Sequence, residues 1–165
     1  MHKVEQWLRS APATDNPHSM FENKNRATSW EEWIKQGKKI PHVEEILLIL
    51  LKDKENNGNK AFILTAIGLV GSGQSFSDLL HFAKNSNTVI RMEAIAAMGN
   101  LKLRQAVSFL CESEKDPDRN VRANVYTALG KLYGTKAFQC LQHGLNDEDE
   151  FVRLAAQRAI EAFGA

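Results

Sequence analysis

Few side chains in this 165-residue sequence stand at a spacing that could support chemistry. The five histidines are scattered, and Cys111 and Cys140 have no companion at the spacing of zinc ligands. Cys111 falls in an apolar helical pattern, where a cysteine ordinarily serves as a small hydrophobic residue. Neither cysteine has a basic neighbour in sequence that would activate its thiol. We therefore expect no catalytic residue, no metal, no cofactor and no enzymatic activity.

Gly71-Ser72-Gly73 has the composition of a phosphate-binding loop but not its motif. Such loops need a third glycine and a Lys-Ser/Thr pair, and Phe76 stands where a further glycine would be needed. We interpret this stretch as a turn between two structural units.

Three arginines recur at one interval, each with an acidic or amide side chain six residues earlier. The six residues are Asn85, Arg91, Asp116, Arg122, Asp147 and Arg153. An arginine in the first turn of a helix can bond to the acidic side chain of its own turn or to that of an adjacent unit. The spacing favours a structural ladder of hydrogen bonds over an active site, and it leaves both partners open.

The same interval of 31 residues that separates these arginines also separates other repeated residues of the sequence. Glycines keep it at Gly68, Gly99 and Gly130. Within each unit, apolar residues recur at offsets of three, four and seven, the pattern of a helix with one buried face. Asp116-Pro117-Asp118 separates two such stripes, because proline interrupts a helix and aspartate caps the next one.

The sequence therefore predicts an all-α fold of four helical hairpins, over residues 42–71, 72–102, 103–133 and 134–165. Each hairpin has one apolar face that it can bury only against its neighbours.

This pattern resembles the short HEAT-like repeats of bacterial proteins, the type named after the phycobilisome lyases. The resemblance rests on the Asp-Pro-Asp turn at 116–118, on the Val-Arg pair that opens a second helix and on the Ala-Leu-Gly near its end. It implies a right-handed α-α superhelix in which the arginine ladder is structural. The first unit departs from the pattern with Lys60 and the last with Glu161, as terminal repeats usually do.

Some HEAT-like enzymes hold two iron ions with a His-Glu pair beside this arginine. The corresponding dipeptides here are Met92-Glu93, Ala123-Asn124 and Leu154-Ala155. Because the histidine is absent each time, the resemblance implies no di-iron site.

Residues 1–41 lie outside the repeat and are expected to form a capping segment. Two short amphipathic helices are predicted over residues 3–10 and 29–36, with a polar loop between them. All three tryptophans, Trp7, Trp30 and Trp33, fall in this segment. Their indoles could cover the open apolar end of the first repeat or anchor a partner protein, and we favour the cover.

Helical geometry identifies positions on the second helices that should face away from the buried stripe. Each residue turns about 100°, so we expect exposure one, five and eight residues after each arginine, with a flank four residues after it. These positions would form the concave face of the superhelix and bind a peptide, helix or loop of another protein. The candidate binding residues are Met92, Ile95, Ala96, Tyr126, Thr127, Leu154, Arg158 and Glu161. Replacing Met92 or Tyr126 should then weaken binding without loss of stability.

Acidic residues also cluster in two neighbouring turns, at 112–118 and 147–150. Stacked repeats would bring these turns onto one rim. Helix capping at a solvated rim is the favoured interpretation, because acids stabilise helix N-termini, and a docking patch for a basic partner is the alternative.

Charge and hydropathy restrict the class of partner. Lys and Arg number 21 and Asp and Glu number 20, for a formal net charge of +1. Nucleic-acid-binding domains usually carry a basic excess, so we expect no nucleic acid as partner; a repair glycosylase of HEAT type would need a basic concave face. We see no membrane-spanning run and no leader peptide. With two cysteines, the composition favours a reducing cytoplasm.

We therefore expect a non-enzymatic module for protein–protein interaction, monomeric when free, that binds another protein through its concave face and rim. An inhibitor, such as the immunity protein to a bacterial toxin, is one role of this kind. The alternatives are a bilin lyase-like factor and a subunit of an enzyme complex.

Overall fold

Helix pairs make up most of the structure, a computed structural model that describes residues 1–12 and 30–163. Two short helices, α1 (His2–Arg9) and α2 (Trp30–Gly37), lie close to the predicted positions, and most of the predicted loop between them lies outside the described residues. The hairpins that follow are α3 (Val43–Lys52) with α4 (Lys60–Val70), α5 (Phe76–Phe82) with α6 (Thr88–Asn100), α7 (Val107–Glu112) with α8 (Arg119–Leu132), and α9 (Thr135–Gly144) with α10 (Glu150–Phe163).

Short 3-10 helices at Lys54–Asn59, Arg104–Ala106 and Ser113–Lys115 complete the connections. No β-strand occurs in the described part of the chain. The fold is the all-α solenoid that the sequence predicts.

Two side chains cap the N-terminal region of each of the helices α6, α8 and α10 in the same way. Side-chain oxygens of the caps accept a hydrogen bond from the amide two residues later at 2.8–2.9 Å. The residues two positions before the caps accept from the amides of the caps themselves at 2.9 Å. The caps are Asn87, Asp118 and Asp149, and the preceding residues are Asn85, Asp116 and Asp147. These bonds satisfy amides that a first helical turn leaves unpaired, so the turn sequence fixes where each helix starts.

Glycines set the close approach of successive second helices. The contacting pairs are Gly68 with Ala97, Gly99 with Ala128 and Gly130 with Ala159. A Cβ added to the glycine would come within 2.8–2.9 Å of the facing alanine in each pair. Lys131 also donates to the side chain of Asn100 at 2.6 Å and so joins the C-terminal ends of α8 and α6. The second helices therefore lie parallel and in register.

This contact corrects the expectation that position eight after each arginine is exposed, although Gly130 still forms part of a groove described below. Gly99 and Gly130 are buried at that position, because this side of the helix touches the next helix. Glu161, at the equivalent position of α10, is exposed.

The arginine ladder joins each inter-helix turn to the following hairpin. Nε and Nη2 of Arg91 donate to the two carboxylate oxygens of Asp116, both at 3.0 Å. Nη1 donates to the carbonyls of Asn85 and Ser86, in the turn that precedes its own helix. One guanidinium therefore bonds to the backbone of its own turn and to the carboxylate of the next unit. The sequence left open which of the two turns would be the partner, and the structure uses both.

The next arginine repeats this arrangement with deeper burial. Arg122 donates to Asp147 at 2.8 and 2.9 Å, and the two side chains are only 9% and 8% exposed. Arg153 donates to the carbonyls of Asp147 and Glu148. It has no carboxylate partner among the described residues. Lys60, at this position of the first hairpin, instead lies 5.7 Å from the centre of a phenyl ring.

The tryptophans close the N-terminal end of the stack. The indole of Trp7 donates to the carbonyl of Trp33 at 2.8 Å, and the indole of Trp33 donates to the carbonyl of Trp7 at 2.9 Å. Their rings stack with centroids 4.1 Å apart, and Trp30 packs edge-on against Trp33. Phe62 of α4 lies 5.8 Å from Trp33. Because Trp7 and Trp33 are buried, they cover the first hairpin and cannot anchor a partner from the surface.

A disulfide joins the first helices of the last two hairpins. Cys111 of α7 and Cys140 of α9 are bonded, with their Cα atoms 5.7 Å apart. This overturns the interpretation of Cys111 as an unpaired small hydrophobic residue, whereas the expected cytoplasmic location stays a prediction. The sequence separation of 29 residues hid the contact, and it equals the separation of the glycine–alanine pairs in the second helices.

The Gly71-Ser72-Gly73 stretch is a turn, held by a carboxylate. Glu44 of α3 accepts from the amide and the hydroxyl of Ser72, both at 2.7 Å, and from the amide of Ser75 at 3.1 Å. Burial alone would raise the pKa of Glu44, but these hydrogen bonds outweigh it and hold the pKa below its ordinary value. The hydrogen-bond acceptor that the turn binds is therefore a side chain of the protein itself, Glu44.

Candidate protein-binding groove

A groove of about 810 Å³ runs across the inner side of α6, α8 and α10. Its position follows from the parallel stacking of these helices, which exposes the same face of each one. The groove is lined by Met92, Lys102, Asn120, Ala123, Asn124, Thr127, Gly130, Lys131, Tyr133, Phe151, Leu154, Ala155, Arg158, Ala159 and Ala162. We call this surface the inner groove.

Large apolar side chains are exposed in the inner groove. Phe151 is 52% exposed and Leu154 is 43% exposed. Met92 of α6 is half-buried, and Ala123 and Ala155 add small side chains to the lining. Exposed apolar surface in a concave site is typical of sites that bind another molecule.

The charged residues of the inner groove all have one sign. Lys102, Lys131 and Arg158 line it, and its lining contains no carboxylate. Its formal charge is therefore +3, although the whole chain carries only +1. The balanced composition hid this local excess, because the acidic residues are concentrated elsewhere.

Phe151, Leu154 and Met92 lie on one side of the inner groove and the cations on the other, where Tyr133 is also 50% exposed. Phe151, Leu154 and Met92 lie in the N-terminal halves of their helices. Lys131 lies in the last turn of α8 and Lys102 follows the end of α6, while Arg158 is beyond the middle of α10. Because the helices are parallel, an apolar side faces a basic side across the groove.

The structure places four of the eight candidate binding residues in the inner groove. These are Met92, Thr127, Leu154 and Arg158. Ala96 and Glu161 are not part of its lining. A binding role for the four that line the groove stays a prediction.

The expectation that Ile95 and Tyr126 are exposed is wrong, since they are only 1% and 2% accessible. The ring of Tyr126 packs against Gly144 of α9, where an added Cβ would meet it at 2.7 Å. Burial raises the pKa of Tyr126 to about 12, with smaller contributions from Glu114 and Asp147. Replacing Tyr126 will therefore cost stability, contrary to the sequence expectation.

The error has one geometrical cause. Around Arg122 and Arg153, the groove positions include those two residues before the arginine and one, two, five and nine after it, centred about 150° around the helix from the arginine at 100° per residue. Near Arg91, only Met92 and Lys102 line the groove. The predicted flank, four residues after the arginine, lies at about 40°. The flank was placed on the wrong side. The residues missed were Lys102, Asn120, Asn124, Lys131, Tyr133, Phe151, Ala155, Ala159 and Ala162.

Two sets of small residues that recur every 31 positions would have identified the exposed face correctly. The glycines eight residues after each arginine and the alanines six after it mark the two helix contacts, at about 80° and 240°. The open face must lie midway between them, at about 160°, which is close to the centre of the inner groove.

The acidic rim is largely occupied by structural duties. Asp116 and Asp147 bond to arginines, and Asp118 and Asp149 cap helices. The hydrogen bond from Arg122 is the main cause that lowers the pKa of Asp147 below its ordinary value. These engaged carboxylates support the capping interpretation over an open docking patch.

Potential metal-ligating side chains are not clustered in the described residues. These residues contain no group of three His, Cys, Asp or Glu side chains placed to hold a metal ion. The lining of the inner groove includes no residue of these four types. No helix in the described ranges combines the length and the hydropathy that are needed to cross a bilayer.

Stacked helical hairpins with parallel second helices define the class of α-solenoid repeat proteins. Within that class, the sequence pattern of HEAT repeats matches residues 44–117 and 100–161, which together exceed half of the chain. The protein belongs to the HEAT repeat family. HEAT repeats generally act as scaffolds for protein interactions. No curated protein matches the chain.

Proposed function

We propose that this protein is a non-enzymatic interaction module that receives a segment of a partner protein in the inner groove. The observation that carries the proposal is the pair of exposed apolar side chains, Phe151 and Leu154, on a concave surface. Both residues are about half exposed. Covering what remains would contribute about 1 kcal/mol each, since burying a whole side chain of this size contributes about 1.5–3 kcal/mol.

The composition of the groove supports binding over catalysis. General acid–base and nucleophilic chemistry need a titratable or nucleophilic side chain near the substrate. The titratable or nucleophilic side chains of the lining are Lys102, Lys131, Tyr133 and Thr127, and the lining has no histidine, cysteine or carboxylate that would activate them. A bilin lyase-like activity gains no support from this surface.

The identity of the partner defines the role within this class. An inhibitor, such as an immunity protein that blocks a bacterial toxin, and a subunit of an enzyme complex would both use the same surface. In each case we propose that the free protein is a monomer whose inner groove is open to solvent.

Site-specific photo-crosslinking in cells of the native host tests the proposal. A photoreactive amino acid at Thr127, in the inner groove, should give one discrete protein adduct. The matched control places the same group at Gln142, which is exposed on α9 outside the groove. The adduct should be absent there. Failure to form an adduct at Thr127, or the same adducts from both positions, would contradict the proposed function.

A further inference from the structure

The inner groove pairs an apolar side with a basic side, and this arrangement restricts the chemistry of what it can hold. Resting on the proposed function, we infer that the partner segment is an acidic amphipathic helix. Its apolar face would lie on Phe151, Leu154 and Met92, and its carboxylates would face Lys102, Lys131 and Arg158.

Charge complementarity sets the sign of the partner. Three cations line the groove without a carboxylate among them. The C-terminal ends of helices carry about half a negative charge each, so three helix ends offset about 1.5 of the three positive charges. The basic side stays positive by about 1.5 charges, and it therefore favours glutamate and aspartate over lysine and arginine.

The apolar side sets the class of the partner. A single-stranded nucleic acid would gain from the cations and would stack a base on Phe151, but it would leave the aliphatic side chain of Leu154 without an apolar counterpart. Sequence-independent nucleic-acid binding generally draws on many phosphate contacts, and the groove offers three cations. An amphipathic helix satisfies both sides at once, since its apolar residues recur on one face.

The width of the groove sets the length of the segment. Packed helices lie about 8–10 Å apart, so α6, α8 and α10 span about 16–20 Å between the first axis and the last. At 1.5 Å per residue, a helix that crosses all three needs about 11–13 residues. A segment of about three turns is therefore expected.

Designed peptides test the charge and the class separately. The probe is a fluorescein-labelled amphipathic helix of about 14 residues with leucines at i, i+3, i+4 and i+7 and glutamates elsewhere. Two matched peptides replace every glutamate with glutamine or with lysine, and a labelled single-stranded oligonucleotide serves as a polyanion without an apolar face. Fluorescence anisotropy at about 0.15 M salt measures each affinity.

We expect the glutamate peptide to bind at least about tenfold more tightly than the glutamine and lysine peptides and than the oligonucleotide. The double variant Lys102→Glu/Arg158→Glu should lose this preference. Its matched control, Lys35→Glu/Lys38→Glu, makes the same change in net charge on exposed residues at the other end of the chain and should bind as the wild type does.

Three results would overturn the inference. They are equal binding of the three peptides, retained binding by Lys102→Glu/Arg158→Glu, and an oligonucleotide affinity that matches the glutamate peptide and so indicates a nucleic-acid site. Crosslinking separates this failure from failure of the proposed function. If the Thr127 adduct persists in Lys102→Glu/Arg158→Glu, the groove remains a binding site and the acidic helix is rejected. If the adduct is lost in this variant and kept in Lys35→Glu/Lys38→Glu, the acidic helix is supported.

Discussion

At the scale of single residues, the ladder shows how one side chain can fix a repeat. Arg122 bonds through one nitrogen to two carbonyls of its own turn and through two others to a buried carboxylate of the next unit. A planar guanidinium suits this division, because its donors diverge in fixed directions. The first hairpin has neither member of this arginine–carboxylate pair. Lys60 stands at the position of the arginine, and Asn85 stands at the position of the acid, 25 residues later.

Replacing Arg122 with alanine should lower the free energy of unfolding by about 3–4 kcal/mol, because it leaves the carboxylate of Asp147 buried without its partner. Arg153 is the matched control. It occupies the equivalent position and bonds only to carbonyls, so Arg153→Ala should lower the free energy by about 1–2 kcal/mol. Urea unfolding of both variants measures the difference, and equal losses would show that the carboxylate bond adds nothing.

The stability from Asp147 should depend on pH in a defined direction. Its pKa lies below the ordinary value of 3.8 in the folded protein, chiefly through the bond from Arg122. The stabilisation is therefore complete above about pH 4 and is lost as the pH falls through the folded pKa. The difference in unfolding free energy between wild type and Asp147→Asn should shrink from pH 7 to pH 3. A difference that does not change with pH would contradict this account.

At the scale of elements, the glycine–alanine contacts explain why the second helices stack in register. Each glycine removes the Cβ that would collide with the facing helix, so the helices approach closely along one line. The same offset of 29 residues brings Cys111 to Cys140 in the neighbouring layer. One stacking geometry therefore accounts for both contacts.

Gly99→Ala should destabilise the protein by about 1–3 kcal/mol, because the new Cβ would lie 2.8 Å from the backbone of Ala128. Gly58→Ala is the control, since a Cβ there meets nothing within 4 Å. Its unfolding free energy should stay within about 1 kcal/mol of the wild type. Thermal and urea unfolding measure both, and a tolerated Gly99→Ala would show that the helices are less closely packed.

Removing the disulfide with Cys111→Ser/Cys140→Ser should lower the free energy of unfolding by about 3.5 kcal/mol, as expected for a loop of 29 residues. A reductant should produce a similar loss in the wild type and no further loss in the double variant. Thiol titration before and after reduction provides the check. Two free thiols in the untreated, unfolded protein would show that the bond does not form.

The elements were predictable from the sequence because helical periodicity and capping act locally. The turn residues at 116–118 fix the start of α8 within a few positions, whatever its neighbours are. The groove was only partly predictable, because exposure on a helix depends on the direction of the adjacent helix. Ile95 and Tyr126 show this, since both lie on a face that periodicity alone leaves open and both are buried by packing.

At the scale of the whole molecule, the groove is a property of the stack and of no single repeat. Met92, Thr127 and Leu154 come from three different hairpins and share one surface only because α6, α8 and α10 are parallel. The overall charge of +1 also conceals a division of charge, with cations in the groove and engaged acids in the turns. Sequence composition averages over this division, so only the assembled structure shows it.

The proposed function requires the exposed apolar residues of the inner groove to serve binding and not stability. The unfolding free energy is measured for Leu154→Glu and for Tyr126→Ala. The yield of the photo-adduct at Thr127 is measured in Leu154→Glu. Leu154→Glu should lower the unfolding free energy by no more than about 1 kcal/mol, because the side chain is already 43% exposed, and should abolish the adduct. Tyr126→Ala should cost about 3 kcal/mol because its ring is buried. A Leu154→Glu variant that loses stability and keeps the adduct would contradict the proposed function.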